Sequence, residues 1–499
     1  MPEIDIINEP CSDGVAIVIF GVTGDLTRRK LMPALYENAK NGRLPYPFYI
    51  LGFARRPWSH EKMREVLRES VLEYSRDKEV NIEILDLLLE NAYYIESTFQ
   101  DEEGYHQLDK VLHQLGVQNT LFYLSTPPRW YSTIVENLGR SQLESCQEGW
   151  RRIVVEKPFG RDLESARVLD TQLHSVFKED QIYRMDHYLG KETVQNILAF
   201  RFGNGIFEPL WNRKYIDHIE ITMAEDYGVG TRAGYYDQAG VIRDVFQNHL
   251  LQLTALTAME APAVFNAKAV RDEKVKVLKS IAEIKGQTAL ESTIRAQYVS
   301  GTIDGKRVPS YRDEPNVAPD STTETYLAVR LFINTWRWAG VPFYLRSGKR
   351  LPHRLTEIAI QFTQVPLALF GQRNLAGEAP NVLVLRIQPD EGITLYLGAK
   401  SPGSVMQIEP VQMKFSYAEA FPSDPPEAYE RLLLDSLLGD ATLFTRSYEV
   451  EEAWRLTDGI IDAWAAQGLT NLPVYEAGTQ GPQSAEEFIR RDGRQWRKI

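Results

Sequence analysis

From Val15 to Asp186 the hydrophobic pattern switches repeatedly between two periods. Val15-Ala16-Ile17-Val18-Ile19-Phe20 is an unbroken apolar, β-rich run, which predicts a strand buried on both faces. A helical stretch is expected from Leu26 to Lys40, with Gly42 able to end it. Tyr49–Phe53 predicts the next strand, and the charged stretch Glu61–Tyr74 the next helix. Ala92–Ile95, Leu121–Leu124, Ile153–Val155 and Ile182–Tyr183 complete a set of strands, with helical segments such as Asp162–His174 between them. Strands alternating with helices predict a parallel, doubly wound α/β domain of Rossmann type, binding a dinucleotide, over residues 1–186.

Past that point the pattern changes. A long helix is expected at Asp237–Thr257 and a charge-rich one at Ala267–Glu283. Strand-like alternation then appears at Tyr326–Ile333, Glu357–Phe362, Val382–Ile387 and Thr394–Leu397. Gly301–Ser321, rich in Gly, Pro, Ser and Asp, reads as a long loop, and Pro366–Asn381 as a second excursion. Strands grouped together, with helices elsewhere, predict a larger α+β domain over residues 187–499 on a mostly antiparallel sheet.

Composition narrows the function classes. A chain of 499 residues is too long for one core, and its 43% hydrophobic and 25% charged content is that of a globular protein. Lys and Arg number 56 against 68 Asp and Glu, so the net charge is −12. Such a balance argues against a nucleic-acid partner or an anionic membrane surface. No apolar run approaches the ~18–20 residues that cross a bilayer. The opening MPEIDIINEPCSDG has no basic segment followed by an apolar one, and Cys11 and Cys146 are too few for a disulfide framework. A cytoplasmic location is the expectation. There is no HExxH, cysteine cluster, GxxxxGK[ST] loop or GxSxG elbow, so no metal site is expected.

Two regions carry candidate chemistry. Gly21-Val22-Thr23-Gly24-Asp25-Leu26 sits where the first strand meets the first helix, where glycines let a pyrophosphate approach the helix N-terminus. Ile19 stands at the first glycine position of GxGxxG, and a tight strand–helix turn also uses glycines without any ligand. After the second strand comes Arg55-Arg56 rather than the acid that receives a ribose 2′-hydroxyl, which favours NADP over NAD. A solvated basic turn is the bland alternative. The second region includes Asp186-His187-Tyr188-Leu189-Gly190-Lys191, at the carboxyl edge of the predicted sheet. If a helix starts near His187, then His187, Tyr188 and Lys191 share a face and form a phosphate clamp. Its partner is Ile242-Arg243-Asp244-Val245-Phe246-Gln247-Asn248-His249, inside the predicted long helix. Five residues on an α-helix is a rotation of about 140°, so Asp244 cannot orient His249 there, and Asp186 is the candidate carboxylate. A histidine–carboxylate pair suits removal of an alcohol proton near neutral pH. A hydrogen-bonded core histidine is the alternative.

Together with Glu156-Lys157-Pro158-Phe159-Gly160, Arg271-Asp272-Glu273-Lys274-Val275 and Gly340-Val341-Pro342-Phe343-Tyr344-Leu345-Arg346-Ser347-Gly348-Lys349, these segments resemble the glucose-6-phosphate dehydrogenase family in content, order and spacing. The likeness runs from residue 14 to about 470. Met185 stands where isoleucine is usual, and Val22 and Thr23 replace commoner small residues. The resemblance implies oxidation of glucose 6-phosphate at C1 to the 6-phosphoglucono-lactone with NADP as hydride acceptor, the first step of the oxidative pentose phosphate pathway. It implies His249 as base and Asp186 as its orienting carboxylate. His187, Tyr188 and Lys191 match phosphate-binding positions, and Lys157, Glu225, Asp244, Lys349 and Arg354 sugar-binding ones. Gly21, Thr23, Gly24, Asp25, Leu26, Lys30, Arg55 and Lys157 fall at cofactor positions. A homodimer or homotetramer is expected, paired through the second domain. Another NADP-linked sugar dehydrogenase, or an inactive nucleotide sensor on the same fold, are the competing readings.

Overall fold

The computed structural model describes residues 14–146, 148–366, 380–404, 406–421, 426–469 and 471–499. They form two compact units.

The first unit is built on a six-stranded sheet of β1 (Val15–Phe20), β2 (Phe48–Ala54), β3 (Ala92–Glu96), β4 (Asn119–Leu124), β5 (Arg151–Glu156) and β6 (Ile182–Met185). All neighbours are parallel in the order β3-β2-β1-β4-β5-β6, so the doubly wound sheet is as expected. Every residue of β1 is buried, because helices cover both faces of a parallel sheet and leave no polar side to alternate with. The strand order reverses at β1, between β2 and β4. The loops leaving β1 and β4 therefore flank the crevice where such sheets bind ligands. The helix expected at Leu26–Lys40 begins with a π-helical turn, Thr27–Leu31, before α-helix Met32–Lys40.

The chain passes between the two units more than once, residues 161–163 belonging to the second and residues 187–190 to the first. Residues 426–447 belong to the first unit. Helix Ala428–Leu438 and the segment after it place Leu432, Leu433, Leu437 and Phe444 in the same core as Ile17, Leu35 and Tyr183. Apolar area removed from water assigns the segment there, whatever its place in the sequence.

The second unit carries a nine-stranded sheet. Its strands are β7 (Ile216–Ala224), β8 (Thr293–Val299), β11 (Tyr326–Phe332), β12 (Pro342–Gly348), β13 (Leu355–Phe362), β14 (Val382–Gln388), β15 (Gly392–Lys400), β16 (Ile408–Ser416) and β17 (Val474–Glu476), in the order β16-β15-β14-β13-β7-β12-β11-β8-β17. Only β7–β12 and β8–β17 are parallel, which makes the sheet mostly antiparallel as expected. The segment read as a loop at Gly301–Ser321 holds a small ribbon, β9 (Gly301–Ile303) with β10 (Lys306–Val308), turned at Asp304-Gly305. Most of the second excursion, at 367–379, lies outside the described residues.

The helix expected at Asp237–Thr257 is three pieces: Ala233–Val241, a π-helix Ile242–Leu250, and Leu251–Ala258. Gly240, at φ 65° and ψ 175°, interrupts it. Glycine occupies such backbone without the Cβ penalty, so hydrophobic period alone cannot reveal the break.

Candidate functional site

In the first unit, the turn after β1 is a cradle. Gly21 has φ 85°, and its N–H donates to the Phe53 carbonyl at 2.8 Å. A Cβ on Gly21 would lie 2.4 Å from the Ser125 carbonyl oxygen, so no other residue fits. Gly24 closes the turn by donating to the Gly21 carbonyl at 2.9 Å. The buried Thr126 hydroxyl, beside Gly21 at the end of β4, has no hydrogen-bond partner, as a cradle awaiting a polar ligand would show. Thr23 and Leu26 are half-buried in the turn. Asp25 is exposed and paired with Arg29 at 2.8 Å, and Lys30 with Glu427 at 3.0 Å. Arg55 is exposed immediately after β2. A pyrophosphate with a 2′-phosphorylated ribose fits this set: bare backbone at one end, guanidinium at the other.

The ends of β5 and β6 form a second cluster. Glu156 pairs in register with Met185, so Lys157 and Asp186 emerge side by side. Lys157 is half-buried and its peptide bond to Pro158 is cis. Asp186 is buried, and its Oδ1 accepts the Tyr188 N–H at 3.0 Å. That bond stabilises a turn over residues 187–190, and the following helix, Glu192–Phe202, starts only after Lys191. The expectation of a helix from His187 is therefore corrected: an Asp side chain that captures a backbone N–H two residues on favours a turn.

Beneath these residues sequence reading missed a buried network. The Tyr123 hydroxyl donates to Glu156 Oε1 at 2.6 Å, and Tyr429 hydrogen-bonds the same carboxyl. Burial pushes the Glu156 carboxyl above the usual range and both tyrosine hydroxyls well above theirs. The Tyr429 ring stacks on His187, with centroids 6.3 Å apart and planes at 14°. No local signal points to Tyr429, which arrives from a distant helix.

In the second unit, Glu225 and Lys349 follow the paired parallel ends of β7 and β12, where Ala224 is in register with Gly348. The buried Lys349 ammonium donates to Glu225, and the Tyr227 hydroxyl donates to the other Glu225 oxygen at 2.6 Å. Lys349 Nζ also lies 5.2 Å from the Tyr227 ring centroid and 4.9 Å from that of Tyr236. Lys191 and Arg354 both donate to Gln388 Oε1, Arg354 at 3.4 Å. Gln388, Tyr227 and Tyr236 were not foreseen, since each is marked only by its neighbours in space.

Asp244 and His249 are both buried on the π-helix. There i→i+5 hydrogen bonding brings residues five apart onto one side, so the 140° separation of an α-helix does not apply. Asp244 is nevertheless engaged, its Oδ1 accepting from Arg232 at 3.0 Å.

Residues 18–196 match the family described as glucose-6-phosphate dehydrogenase, NAD binding domain, and residues 198–497 the C-terminal domain of the same enzyme. The chain is 48% identical over 497 residues to glucose-6-phosphate 1-dehydrogenase 2 of Mycobacterium bovis, covering 98% of this chain and 95% of that one. It is 44% identical to glucose-6-phosphate 1-dehydrogenase of Bacillus subtilis, covering 97% and 98%. Among solved structures, a glucose-6-phosphate dehydrogenase in complex with its substrate glucose-6-phosphate superposes with a TM-score of 0.89 at 35% identity, covering 97% and 99%. The glucose-6-phosphate 1-dehydrogenase of Mycobacterium avium gives 0.82 at 36%, covering 97% and 98%.

Proposed function

The chain belongs to the glucose-6-phosphate dehydrogenase family, and from that premise we propose how its residues divide the work. The reaction is oxidation of glucose 6-phosphate at C1 to the lactone, and NADP, when bound, supplies the hydride acceptor. His249 removes the C1 hydroxyl proton as the C1 hydride leaves, so that oxygen and carbon finish as a carbonyl. Asp186 orients the imidazole. His187, Tyr188 and Lys191 hold the phosphate. Lys157, Glu225, Asp244, Lys349 and Arg354 hold the sugar hydroxyls. Gly21, Thr23, Gly24, Asp25 and Leu26 cradle the pyrophosphate, with Lys30, Arg55 and Lys157 supplying positive charge to the cofactor.

The observation that carries the reading is the burial of His249, 3% exposed, on a helix interrupted by glycine and wound as a π-helix. π-Helical turns cost hydrogen-bond geometry and concentrate at functional sites. The test is NADP reduction with glucose 6-phosphate and with glucose. Rapid turnover of the phosphate ester alone is expected, and His249→Asn should lose nearly all kcat while keeping sugar-phosphate affinity. Equal turnover of both sugars would remove the phosphate clamp.

A homodimer or homotetramer is part of the proposal. Among the described residues, strand β16 is the last of the sheet and exposes Val411, Met413 and Phe415, the kind of surface that a second copy covers. The cytoplasm is the proposed compartment, where Cys146 would remain the free thiol it is here. No helix among the described residues is long and apolar enough to cross a membrane.

A further inference from the structure

We propose that Glu324 is a positioning residue, its buried side chain setting the phase of the π-helix that carries Asp244 and His249. This rests on the reading of His249 as the base. Glu324 lies just before β11 and is 7% exposed, an unusual place for a carboxyl that touches no part of the proposed chemistry. Its contacts explain the placement. The Glu324 carbonyl accepts the Val241 N–H at 3.1 Å and the Tyr236 hydroxyl at 3.4 Å. Its Oε1 accepts the Ile242 N–H at 3.2 Å. These are the N–H groups at the start of the π-helix, which a helix leaves without internal partners.

Gly240 completes the device. A Cβ on that residue would lie 2.0 Å from Glu324 Oε1 and 2.6 Å from its Cδ, so the carboxyl occupies space that only glycine leaves open. The interruption of the helix and the entry of the carboxyl are thus one feature. Burial raises the Glu324 carboxyl, while its own N–H and that of Ile242 pull it back. An uncharged carboxyl still has an acceptor oxygen for Ile242, so length and acceptor matter more than charge. The neighbouring residue ties the arrangement to the sugar cluster: the Thr325 carbonyl accepts the Lys349 N–H at 3.0 Å, and the Thr325 N–H donates to Ala296 in β8 at 2.9 Å. One dipeptide, anchored in the sheet, holds both the His249 helix and the Lys349 strand end.

The experiment compares Glu324→Ala, Glu324→Asp and Glu324→Gln in the full chain, with His249→Asn as a control, by steady-state kinetics and circular dichroism. Asp keeps the carboxyl but is one methylene too short to reach Ile242, and Gln keeps the reach and the acceptor. A misplacement of about 1 Å costs on the order of a hundredfold in rate, so Ala and Asp should lose about 10–100-fold in kcat. KM for glucose 6-phosphate should rise by less than kcat falls, since Asp244 rides on the same helix, and Gln should recover most of kcat. A folded Asp variant with wild-type kcat overturns the proposal, as does a Gln variant no better than Asp, or a loss confined to KM. Because Asp preserves the buried carboxyl, it remains informative if Ala does not fold. Wild-type turnover in His249→Asn instead overturns the assignment of the base.

Discussion

Replacing Tyr123 by phenylalanine tests how the floor beneath Lys157 and Asp186 is held. Tyr123 is fully buried and Glu156 is 8% exposed, with 2.6 Å between hydroxyl and carboxyl. Phenylalanine keeps the ring packing and deletes only the donor, so cavity effects drop out. Removing one partner of a buried hydrogen bond costs about 1.5–3 kcal/mol, because it leaves the acceptor short of a partner. For a unit of roughly 200 residues that corresponds to a fall in Tm of about 3–12 °C. Tyr123→Phe, Glu156→Gln and the double variant, measured by thermal denaturation, should show a coupling above about 0.5 kcal/mol. The pH dependence adds a second constraint. Burial raises the folded carboxyl above its ordinary value near 4.5, so the folded state favours the protonated form. The associated stability is present below about pH 4.5 and is lost as pH rises through the folded value. Glu156→Gln has no proton to lose, so its Tm relative to wild type should climb between pH 4.5 and 8. A Tyr123→Phe variant within about 1 °C of wild type, or a flat pH comparison, would refute the reasoning.

Arg55→Asp should lower the NADP-to-NAD ratio of kcat/KM by about tenfold or more, the scale of one charge-assisted hydrogen bond; an unchanged ratio would mean that Arg55 does not read the 2′-phosphate. Gly21→Ala, whose Cβ meets the Ser125 carbonyl, should weaken NADP binding by roughly tenfold or more, measured by fluorescence titration. His218 is buried, with Nδ1 2.6 Å from Asp217 and Nε2 3.5 Å from Glu220; burial disfavours its charge, but the two carboxylates outweigh that and raise it above 6.5. Its stabilisation is therefore complete below about pH 6.5 and lost as pH rises through the folded value, so the Tm deficit of His218→Gln should shrink from pH 6 to 9; a constant deficit would count against it. Met413→Lys, on the exposed edge strand, should reduce assembly size in light scattering, and an unchanged mass would direct the interface elsewhere.

The amino-acid sequence by itself determined the doubly wound sheet, because short apolar cores alternate with helical segments along the first 186 residues, and β1, apolar and buried throughout, needed no context to declare itself. It also determined the family, since segments such as Asp186–Lys191 and Arg243–His249 keep their order and spacing. The cradle at Gly21 was legible for the same reason: backbone beyond φ 0° at a strand end asks for glycine. Strands β7 and β12 were not read: β12 is buried throughout and shows no alternation, so period could not separate it from its surroundings. The helix break at Gly240 escaped because its cause, the carboxyl of Glu324, lies 84 residues away. Tyr429 on His187, Gln388 shared by Lys191 and Arg354, and Tyr123 under Glu156 were likewise decided only by tertiary structure. Residue type and local period encode which segments bury themselves and where the backbone turns. Which buried polar group meets which partner depends on chain segments brought together in space, and burial then makes each of those meetings costly to leave unmade.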